Sequence, residues 1–412
     1  MDKIFTRPIL KSEIRAISSK SEAHRQLICA ALGDKKCEIF CSDTNADINA
    51  TVSCLNSLGA SIKRTKDSFL VDPISEAVKC GALDANESGS TLRFLLPVAA
   101  SLGADCRFFM SGRLPQRPLS PLYSLLQSNG ISLSPEGSNP LEIKGKLTSG
   151  SYTVASDVSS QFISGLLFAL SVAEGESTLT LEGRVESAPY IMMTLDALKT
   201  FGADIDFDGE RCFRISGKTR LSSPERVIVG GDFSNAAFFL AAGAVGEYPV
   251  TVSGLDPNSR QGDRRIVELL EKMGARVAKR GDSITVFPSK LQGIDIDAAD
   301  IPDLVPILAV AASVANGETK ISGAARLRLK ESDRIESVCA MLSTLGADIR
   351  PTDDGMIIHS KARLLGGEVD SYNDHRIAMS AAIASLVCDN SVKIKNFEAI
   401  NKSYPTFADN FS

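Results

Sequence analysis

The chain has 412 residues, of which 43% are hydrophobic and 23% charged, as is ordinary for a protein that folds around a hydrophobic core. This length predicts two or three domains rather than one. The net charge of −5 and the aromatic content of 6% argue against nucleic-acid binding, and no apolar run reaches membrane-spanning length. With no signal peptide visible in its first residues, we expect a cytoplasmic protein.

Nine cysteines and three histidines are spread along the chain, without the spacing of a zinc site. The cysteine count is odd, no C-x-x-C pair occurs, and several cysteines lie in apolar runs. We therefore expect reduced, buried thiols and no metal ion. The cysteines are Cys29, Cys37, Cys41, Cys54, Cys80, Cys106, Cys212, Cys339 and Cys388.

A repeat of about 71 residues organises the chain. A glycine after an amphipathic stretch begins "GASIK", "GISLS", "GADID", "GARVA" and "GADIR", where it suits the left-handed position that ends a helix and precedes a strand. Ala-rich stretches recur six times at the same period and predict buried helices. The five glycines are Gly59, Gly130, Gly202, Gly274 and Gly346.

Each copy predicts strands and two helices, which is an α/β arrangement. Six copies are too large for one core, so we expect two lobes of three copies each. One lobe would span 18–228, and the other would combine 1–17 with 229–412. The chain would then pass between the lobes twice and leave a cleft between them.

The residues that lead into the Ala-rich helices include both helix caps and cations. Ser90, Asp232 and Asn235 are interpreted as caps, because their side chains can accept bonds from first-turn N–H groups. Cations oppose the helix dipole there, unless an anion shares the site. The predicted ligand is a small polyanion with phosphate and carboxylate groups. The cations are Lys20, Arg25, Arg93 and Arg376.

Further charged segments could join such a site, although charge runs usually face solvent. "SGRLPQRPLSPL" carries Arg117, and "AINKSYPTF" carries Lys402. The run "ARLRLKESDRIES" resembles "NSRQGDRRIVELL" of the preceding copy, which keeps the Asp-Arg pair but lacks the Lys-Glu pair. We therefore assign Lys330 and Glu331 to chemistry and read the Asp-Arg pair as partly structural, with Arg334 also a candidate ligand-binding cation.

The motifs "SKSEAHR", "SGSTLR", "SSQF", "SAPY", "IPDLVPILA", "LRLKESDR", "YNDHRIAM" and "NKSYPTF" span about 18–407. In this order they resemble the 5-enolpyruvylshikimate-3-phosphate synthase family of the shikimate pathway. The resemblance implies a two-lobed inside-out α/β barrel. It also implies transfer of the enolpyruvyl group of phosphoenolpyruvate to the 5-hydroxyl of shikimate 3-phosphate, without cofactor or metal, by a monomer. Glyphosate is expected to compete with phosphoenolpyruvate.

The resemblance also implies roles for individual residues. The acid/base residues are Asp303, Glu331 and Lys20. Shikimate 3-phosphate would contact Lys20, Ser21, Arg25, Ser159, Ser160, Gln161, Ser187, Tyr190, Asp303 and Lys330. Phosphoenolpyruvate would contact Lys20, Gly89, Arg117, Gln161, Arg334, His375, Arg376 and Lys402.

Some positions depart from the usual family pattern. His24 and Glu87 stand where asparagine is frequent, and Ala188 replaces a common lysine that would contact phosphate. Three other functions are less consistent with the sequence. A UDP-N-acetylglucosamine enolpyruvyl transferase usually carries a cysteine or aspartate on the loop that holds Arg117, and this loop has neither. A repeat scaffold would not require different reactive residues in each copy, and an RNA-end-modifying enzyme is disfavoured by the acidic balance.

Overall fold

A computed structural model of the chain describes residues 1–6, 8–79 and 81–412. The chain divides into two compact units. The central unit is Lys20–Val229, and the terminal unit combines Met1–Ser19 with Gly230–Ser412. Each unit has a hydrophobic core of its own.

Short strands and helices alternate along the described residues. The strands are β1 Lys3–Phe5, β2 Glu13–Arg15, β3 Cys37–Phe40, β4 Ser61–Arg64, β5 Ser68–Asp72, β6 Gly81–Asp84, β7 Cys106–Phe109, β8 Ser132–Leu133, β9 Leu141–Lys144, β10 Ser151–Ala155, β11 Gly175–Glu182, β12 Asp204–Phe207, β13 Cys212–Gly217, β14 Arg226–Ile228, β15 Val250–Ser253, β16 Arg276–Arg280, β17 Ser283–Phe287, β18 Asp295–Asp297, β19 Glu318–Ser322, β20 Asp348–Thr352, β21 Gly355–His359, β22 Gly367–Asp370 and β23 Val392–Lys395. The α-helices are α1 Lys20–Ala31, α2 Ala46–Ser57, α3 Gly89–Ser101, α4 Leu122–Ser128, α5 Ser160–Ser171, α6 Ala188–Thr200, α7 Phe233–Val245, α8 Arg265–Lys272, α9 Val305–Ser313, α10 Arg334–Thr344 and α11 His375–Ala384. Short 3-10 helices are Leu114–Gln116, Gly262–Arg264, Ala325–Leu329, Ser385–Val387, Phe397–Lys402 and Phe407–Asn410.

The strands of each unit form sheets with one shared order. The central unit contains β14-β3-β5-β4, β6-β7-β9-β8 and β10-β11-β13-β12, and the terminal unit contains β2-β15-β17-β16 and β18-β19-β21-β20. In each of these sheets the first two strands are parallel and the other pairs are antiparallel. The terminal unit also holds a three-stranded sheet, β1-β23-β22. The prediction of a mixed α/β fold is confirmed.

The repeated glycines lie where the sequence predicts them. Gly59, Gly130, Gly202, Gly274 and Gly346 have φ angles of 111°, 84°, 69°, 94° and 93°, and each follows an amphipathic helix and precedes a strand. These φ angles are left-handed, where a Cβ atom is unfavourable. The expected helix–glycine–strand transition is therefore present in the five copies that carry this glycine.

The six Ala-rich helices are largely or wholly buried, as predicted. The prediction of their caps was only partly correct. Asp232 caps α7 by accepting from the backbone N–H of Asn235, whose own side chain donates to Ser403 instead. Helix α3 is capped by Ser88 rather than Ser90, because Ser90 already lies within the first turn. The sixth copy was predicted to hold a second helix, but only 3-10 helices follow β23.

The cysteines that the structure describes have free thiols. Seven are buried and Cys212 is partly exposed, while Cys80 lies outside the described residues. Burial raises the pKa of Cys388 to about 11, so this thiol is protonated at neutral pH. Among the described helices, none is long and apolar enough to cross a membrane.

Candidate active site

In the central unit, Lys20 is the first residue of α1 and is held by a carboxylate. Its Nζ lies 2.7 Å from Asp47 Oδ2 at the start of α2, and the two side chains are 16% and 17% exposed. Partial burial favours this ion pair over an equivalent pair at the surface. The pair fixes the ammonium at the start of the helix that also carries Arg25.

Arg25 fastens α1 to α6. Its Nε donates to Thr194 Oγ1 at 2.8 Å, its Nη1 to Ser21 O at 2.7 Å, and its Nη2 to Tyr190 O at 2.9 Å. Burial lowers the pKa of Arg25 to about 10, which leaves the guanidinium charged at neutral pH. Ser21, Arg25 and Tyr190, all predicted substrate-binding residues, are therefore brought together.

A chain of hydroxyl groups connects α1 with the start of α3. His24 Nδ1 lies 2.7 Å from Thr51 Oγ1, which lies 2.7 Å from Thr91 Oγ1, and Thr91 Oγ1 donates to Ser88 Oγ at 2.8 Å. Burial, and then the charges of Lys20 and Arg25, lower the pKa of His24 well below its ordinary value. The imidazole is therefore neutral and acts as a hydrogen-bonding group.

Gly89 lies where two guanidinium groups approach the backbone. A Cβ atom at Gly89 would stand 3.0 Å from Nη1 and 3.2 Å from Nη2 of Arg117, and 3.1 Å from Nη1 of Arg93. A side chain at this position would displace these groups. The absence of a Cβ therefore lets Arg117 lie against the N-terminus of α3, as a phosphate-binding arrangement requires.

Gln161, on the first turn of α5, is held at both ends of its amide. Arg93 Nη1 donates to Gln161 Oε1 at 2.8 Å, and Gln161 Nε2 donates to Ser90 Oγ at 2.8 Å. Ser159 caps this helix by accepting from the Gln161 N–H, and Ser160 follows it. These contacts fix the direction of the amide, which is what a residue that orients a substrate needs.

Ser187 precedes α6 in a left-handed conformation, with φ 55° and ψ 39°. This backbone is strained for a residue with a Cβ atom, and such strain is concentrated at functional sites. The serine side chain is buried and does not cap the helix that it precedes. Ala188 and Tyr190 lie in the first turn that follows.

In the terminal unit, Arg334 contacts three carboxylates. Its Nη1 lies 2.8 Å from Asp303 Oδ1, its Nη2 lies 2.7 Å from Glu331 Oε2, and its Nε lies 2.7 Å from Asp374 Oδ2. The Arg334 side chain is 2% exposed and that of Asp374 is fully buried. These carboxylates raise the pKa of Arg334 against the effect of burial, so the guanidinium stays charged.

Asp303 lies between two guanidinium groups. Its Oδ2 is 2.9 Å from Arg376 Nη2, while its Oδ1 accepts from Arg334. Burial alone would raise the pKa of Asp303, but Arg376, Arg334 and Lys330 outweigh it and hold the pKa well below its ordinary value. His375 is buried beside Arg376, and Lys402 Nζ donates to Asn373 O at 2.6 Å.

The Asp-Arg pair of the two neighbouring copies does not repeat in three dimensions. Asp333 caps α10 from a partly exposed position while Arg334 is buried; in the preceding copy Asp263 is buried and Arg264 exposed. Ser234 Oγ donates to Asp263 Oδ2. Burial and then Asp303 raise the pKa of Asp263, although Arg376 and Ser234 oppose this. The pair therefore has a structural role in the helix cap at Asp333, but opposite members of the pair are buried in the two copies.

Asp47, Arg93 and Asp374 hold predicted site residues in place, and the sequence did not predict this role for them. Asp47 was not recognised, because nothing in its local sequence indicates that it meets Lys20. Arg93 was read as an anion-binding cation rather than as a contact of Gln161. Asp374 directly precedes His375 and Arg376 in the motif "YNDHRIAM", and this position was a usable signal.

Buried cations, and a carboxylate held between guanidinium groups, are features typical of enzyme sites for small anions. The sequence model of EPSP synthase (3-phosphoshikimate 1-carboxyvinyltransferase) matches residues 6–411. The chain therefore belongs to the EPSP synthase family.

Relatives with known names agree with this assignment. A 3-phosphoshikimate 1-carboxyvinyltransferase of Clostridium kluyveri is 43% identical over 404 residues, covering 98% of this chain and 94% of the relative. One from Clostridium perfringens is 41% identical over 416 residues, covering 100% and 98%. EPSP synthase from Acinetobacter baumannii has a similar structure, with a TM-score of 0.82 and 27% identity over 100% of this chain and 97% of that one. Family and relatives place the chain among the transferases of aromatic amino acid biosynthesis, and the UDP-N-acetylglucosamine alternative is not favoured.

Proposed function

We propose that this chain performs its family's reaction with the residues described above. The 5-hydroxyl of shikimate 3-phosphate adds to C2 of phosphoenolpyruvate while C3 gains a proton. The tetrahedral intermediate then loses phosphate from C2 and a proton from C3, which yields the enolpyruvyl ether. This assignment of roles is carried by the contacts of Asp303, which lies between the guanidinium groups of Arg334 and Arg376. Glu331 pairs with the guanidinium of Arg334 as well.

The central unit supplies the groups for shikimate 3-phosphate. Its phosphate suits the serine hydroxyls at the start of α5 and the strained turn before α6, while Arg25 and Ser21 suit its carboxylate. Ala188 contributes no charge, so the hydroxyls and backbone N–H groups carry more of the phosphate binding. The proposed residues are Lys20, Ser21, Arg25, Ser159, Ser160, Gln161, Ser187 and Tyr190, with Asp303 at the 5-hydroxyl and Lys330 near the ring hydroxyls.

Phosphoenolpyruvate has a phosphate and a carboxylate, and each is assigned its own cations. Arg117, Lys402 and the backbone at Gly89 hold the phosphate, with Lys20 as a further contact of phosphoenolpyruvate, and the close approach of Arg117 to Gly89 supports this placement. The carboxylate is held by Arg334 and Arg376, with His375 beside them and Gln161 oriented toward both substrates.

Asp303 is the proposed base for the 5-hydroxyl. Arg334 and Arg376 hold its pKa low, so sharing these guanidinium groups with the substrate carboxylate would loosen their hold on Asp303. Its pKa would then rise toward the range of a general base. Glu331 is the proposed residue for proton exchange at C3, and Lys20 is the second candidate for this proton transfer.

The two units are also proposed to correspond to the lobes of an inside-out α/β barrel. Six sheets among the described residues, the repeat period of about 71 residues and the shared strand order support six copies, three in each unit. The chain is expected to act as a monomer.

Release of phosphate from shikimate 3-phosphate and phosphoenolpyruvate tests the function directly. The wild type should release phosphate, and Glu331→Gln should lower kcat by about 10²-fold or more, since it removes a group that transfers a proton. Glu336→Gln is the matched control, because Glu336 is exposed and pairs with Arg328 in the same segment. A wild type inactive on this pair but active on UDP-N-acetylglucosamine would refute the proposal.

A further inference from the structure

The loop that carries Arg117 has little regular structure of its own. A short 3-10 helix, Leu114–Gln116, ends at Arg117, whose backbone is extended with φ −77° and ψ 134°. Helix α4 begins at Leu122 and has no side-chain cap. The position of the Arg117 guanidinium therefore depends on contacts that reach this loop from elsewhere.

One such contact is Glu136, on the connection between β8 and β9. Glu136 Oε1 accepts from the Leu119 N–H at 2.6 Å and from the Ser120 N–H at 2.8 Å, and Oε2 accepts from Ser120 Oγ at 2.8 Å. Burial would raise the pKa of Glu136, but these hydrogen bonds outweigh it and lower the pKa. The carboxylate is thus ionised at neutral pH, when its bonds are strongest.

The opposite contact comes from α3. Arg93 Nη2 donates to Pro118 O at 3.0 Å, while Arg93 Nη1 holds Gln161. The three residues after Arg117 are therefore hydrogen-bonded by two side chains. Arg93 donates to one of their carbonyl groups, and Glu136 accepts from two of their N–H groups and from one hydroxyl. A segment fixed at consecutive backbone groups cannot shift without breaking several of these bonds.

We infer that Glu136 is a positioning residue, which holds the Pro118–Ser120 backbone so that the Arg117 guanidinium lies at the N-terminus of α3 to receive the phosphate of phosphoenolpyruvate. This rests on the proposed role of Arg117. Glu136 acts through the loop and touches no substrate. Its effect is therefore confined to the phosphate of one substrate and to inorganic phosphate, the product that shares this binding position.

The test compares Glu136→Ala with a carboxylate of the same kind elsewhere in the central unit. Asp208 Oδ1 accepts from the N–H groups of Glu210, Arg211 and Cys212 in the turn between β12 and β13, at 2.8, 2.8 and 3.1 Å. Asp208→Ala removes a comparable backbone clamp that no proposed site residue depends on.

We expect Glu136→Ala to raise the KM for phosphoenolpyruvate and the inhibition constant of inorganic phosphate about tenfold, with the KM for shikimate 3-phosphate unchanged. Glu136→Gln keeps an oxygen for both N–H groups and should restore most of the affinity. Ser120→Ala, which removes only the hydroxyl contact, should cause a smaller change in the same direction. Asp208→Ala should leave both KM values unchanged.

A double-mutant cycle separates positioning from general stability. If Glu136 acts through Arg117, Glu136→Ala should add little to the effect of Arg117→Ala on the KM for phosphoenolpyruvate. Additive effects, or equal rises in both KM values, would overturn the inference. If Arg117→Ala itself leaves that KM unchanged, the proposed role of Arg117 fails first, and an inactive wild type points to failure of the proposed function.

Discussion

Arg334→Lys tests whether the three-carboxylate contact is a structural centre of the terminal unit. The guanidinium reaches Asp303, Glu331 and Asp374 through three different nitrogens at 2.7–2.8 Å. A lysine ammonium is a single point of charge and cannot occupy these three positions together. The substitution therefore leaves at least one of these carboxylates without its contact to residue 334.

The magnitude follows from the burial of this cluster. Each hydrogen bond between charged groups contributes about 1.5–3 kcal/mol, and breaking a buried pair by removing one partner costs about 3–5 kcal/mol. We expect Arg334→Lys to reduce the free energy of unfolding by about 4 kcal/mol. Since Asp303 also loses one of its two guanidinium contacts, kcat should fall together with stability.

Urea unfolding at pH 7 measures this cost. The chain contains no tryptophan, so far-UV circular dichroism is the appropriate signal. Arg328→Lys is the matched control, because Arg328 also pairs with two carboxylates, Asp333 and Glu336, but is 31% exposed. The control should cost less than about 1 kcal/mol. Equal losses for the two variants, or a loss below about 1 kcal/mol for Arg334→Lys, would refute the reasoning.

Three further substitutions probe other features. Gly89→Ala should raise the KM for phosphoenolpyruvate several-fold and relieve competition by glyphosate, since its Cβ atom crowds Arg117; an unchanged KM would contradict this. Asp263 has a pKa of about 7 in the fold, above its unfolded value, so its contribution to stability declines as pH rises from about 4 to about 7. Asp263→Asn should therefore flatten the dependence of urea midpoint on pH across that window, and an unaltered slope would count against it. Ser187→Gly should leave the free energy of unfolding unchanged or raise it by up to ~1 kcal/mol, because glycine relieves the backbone strain, and the melting temperature should follow. The same substitution should raise the KM for shikimate 3-phosphate. A lower melting temperature would argue against strain there.

The repeat made much of the fold predictable. Glycines at a fixed period mark helix ends, because a left-handed residue is a local requirement that sequence records directly. Contacts between distant segments were not predictable in the same way. Asp47 meets Lys20 from 27 residues away, and Glu136 meets the Arg117 loop from another connection. Nothing in the neighbouring residues indicates either meeting, because both depend on how the sheets bring loops together.

The reversed Asp-Arg pair shows why similar sequence is an incomplete guide to the site. Helix α10 begins at Arg334 with Asp333 as its cap, whereas a 3-10 turn occupies Gly262–Arg264 before α8. This difference in helix start turns opposite members of the pair toward the interior. A shift of the helix start changes which side chain is buried, and sequence patterns locate helix ends only within a few residues.

The strands β1 and β2 have a consequence for how the protein is made. Lys3 of β1 pairs with Ile394 of β23, and β2 pairs with β15, so the terminal unit needs both the earliest and the latest parts of the chain. The central unit is one continuous segment and can fold while the ribosome is still adding residues. During this time β1 and β2 cannot form their sheets, because their partner strands β23 and β15 have not yet been synthesised. Assembly of the terminal unit is therefore expected to be the slow step of biogenesis, and the stage at which a chaperone would be most useful.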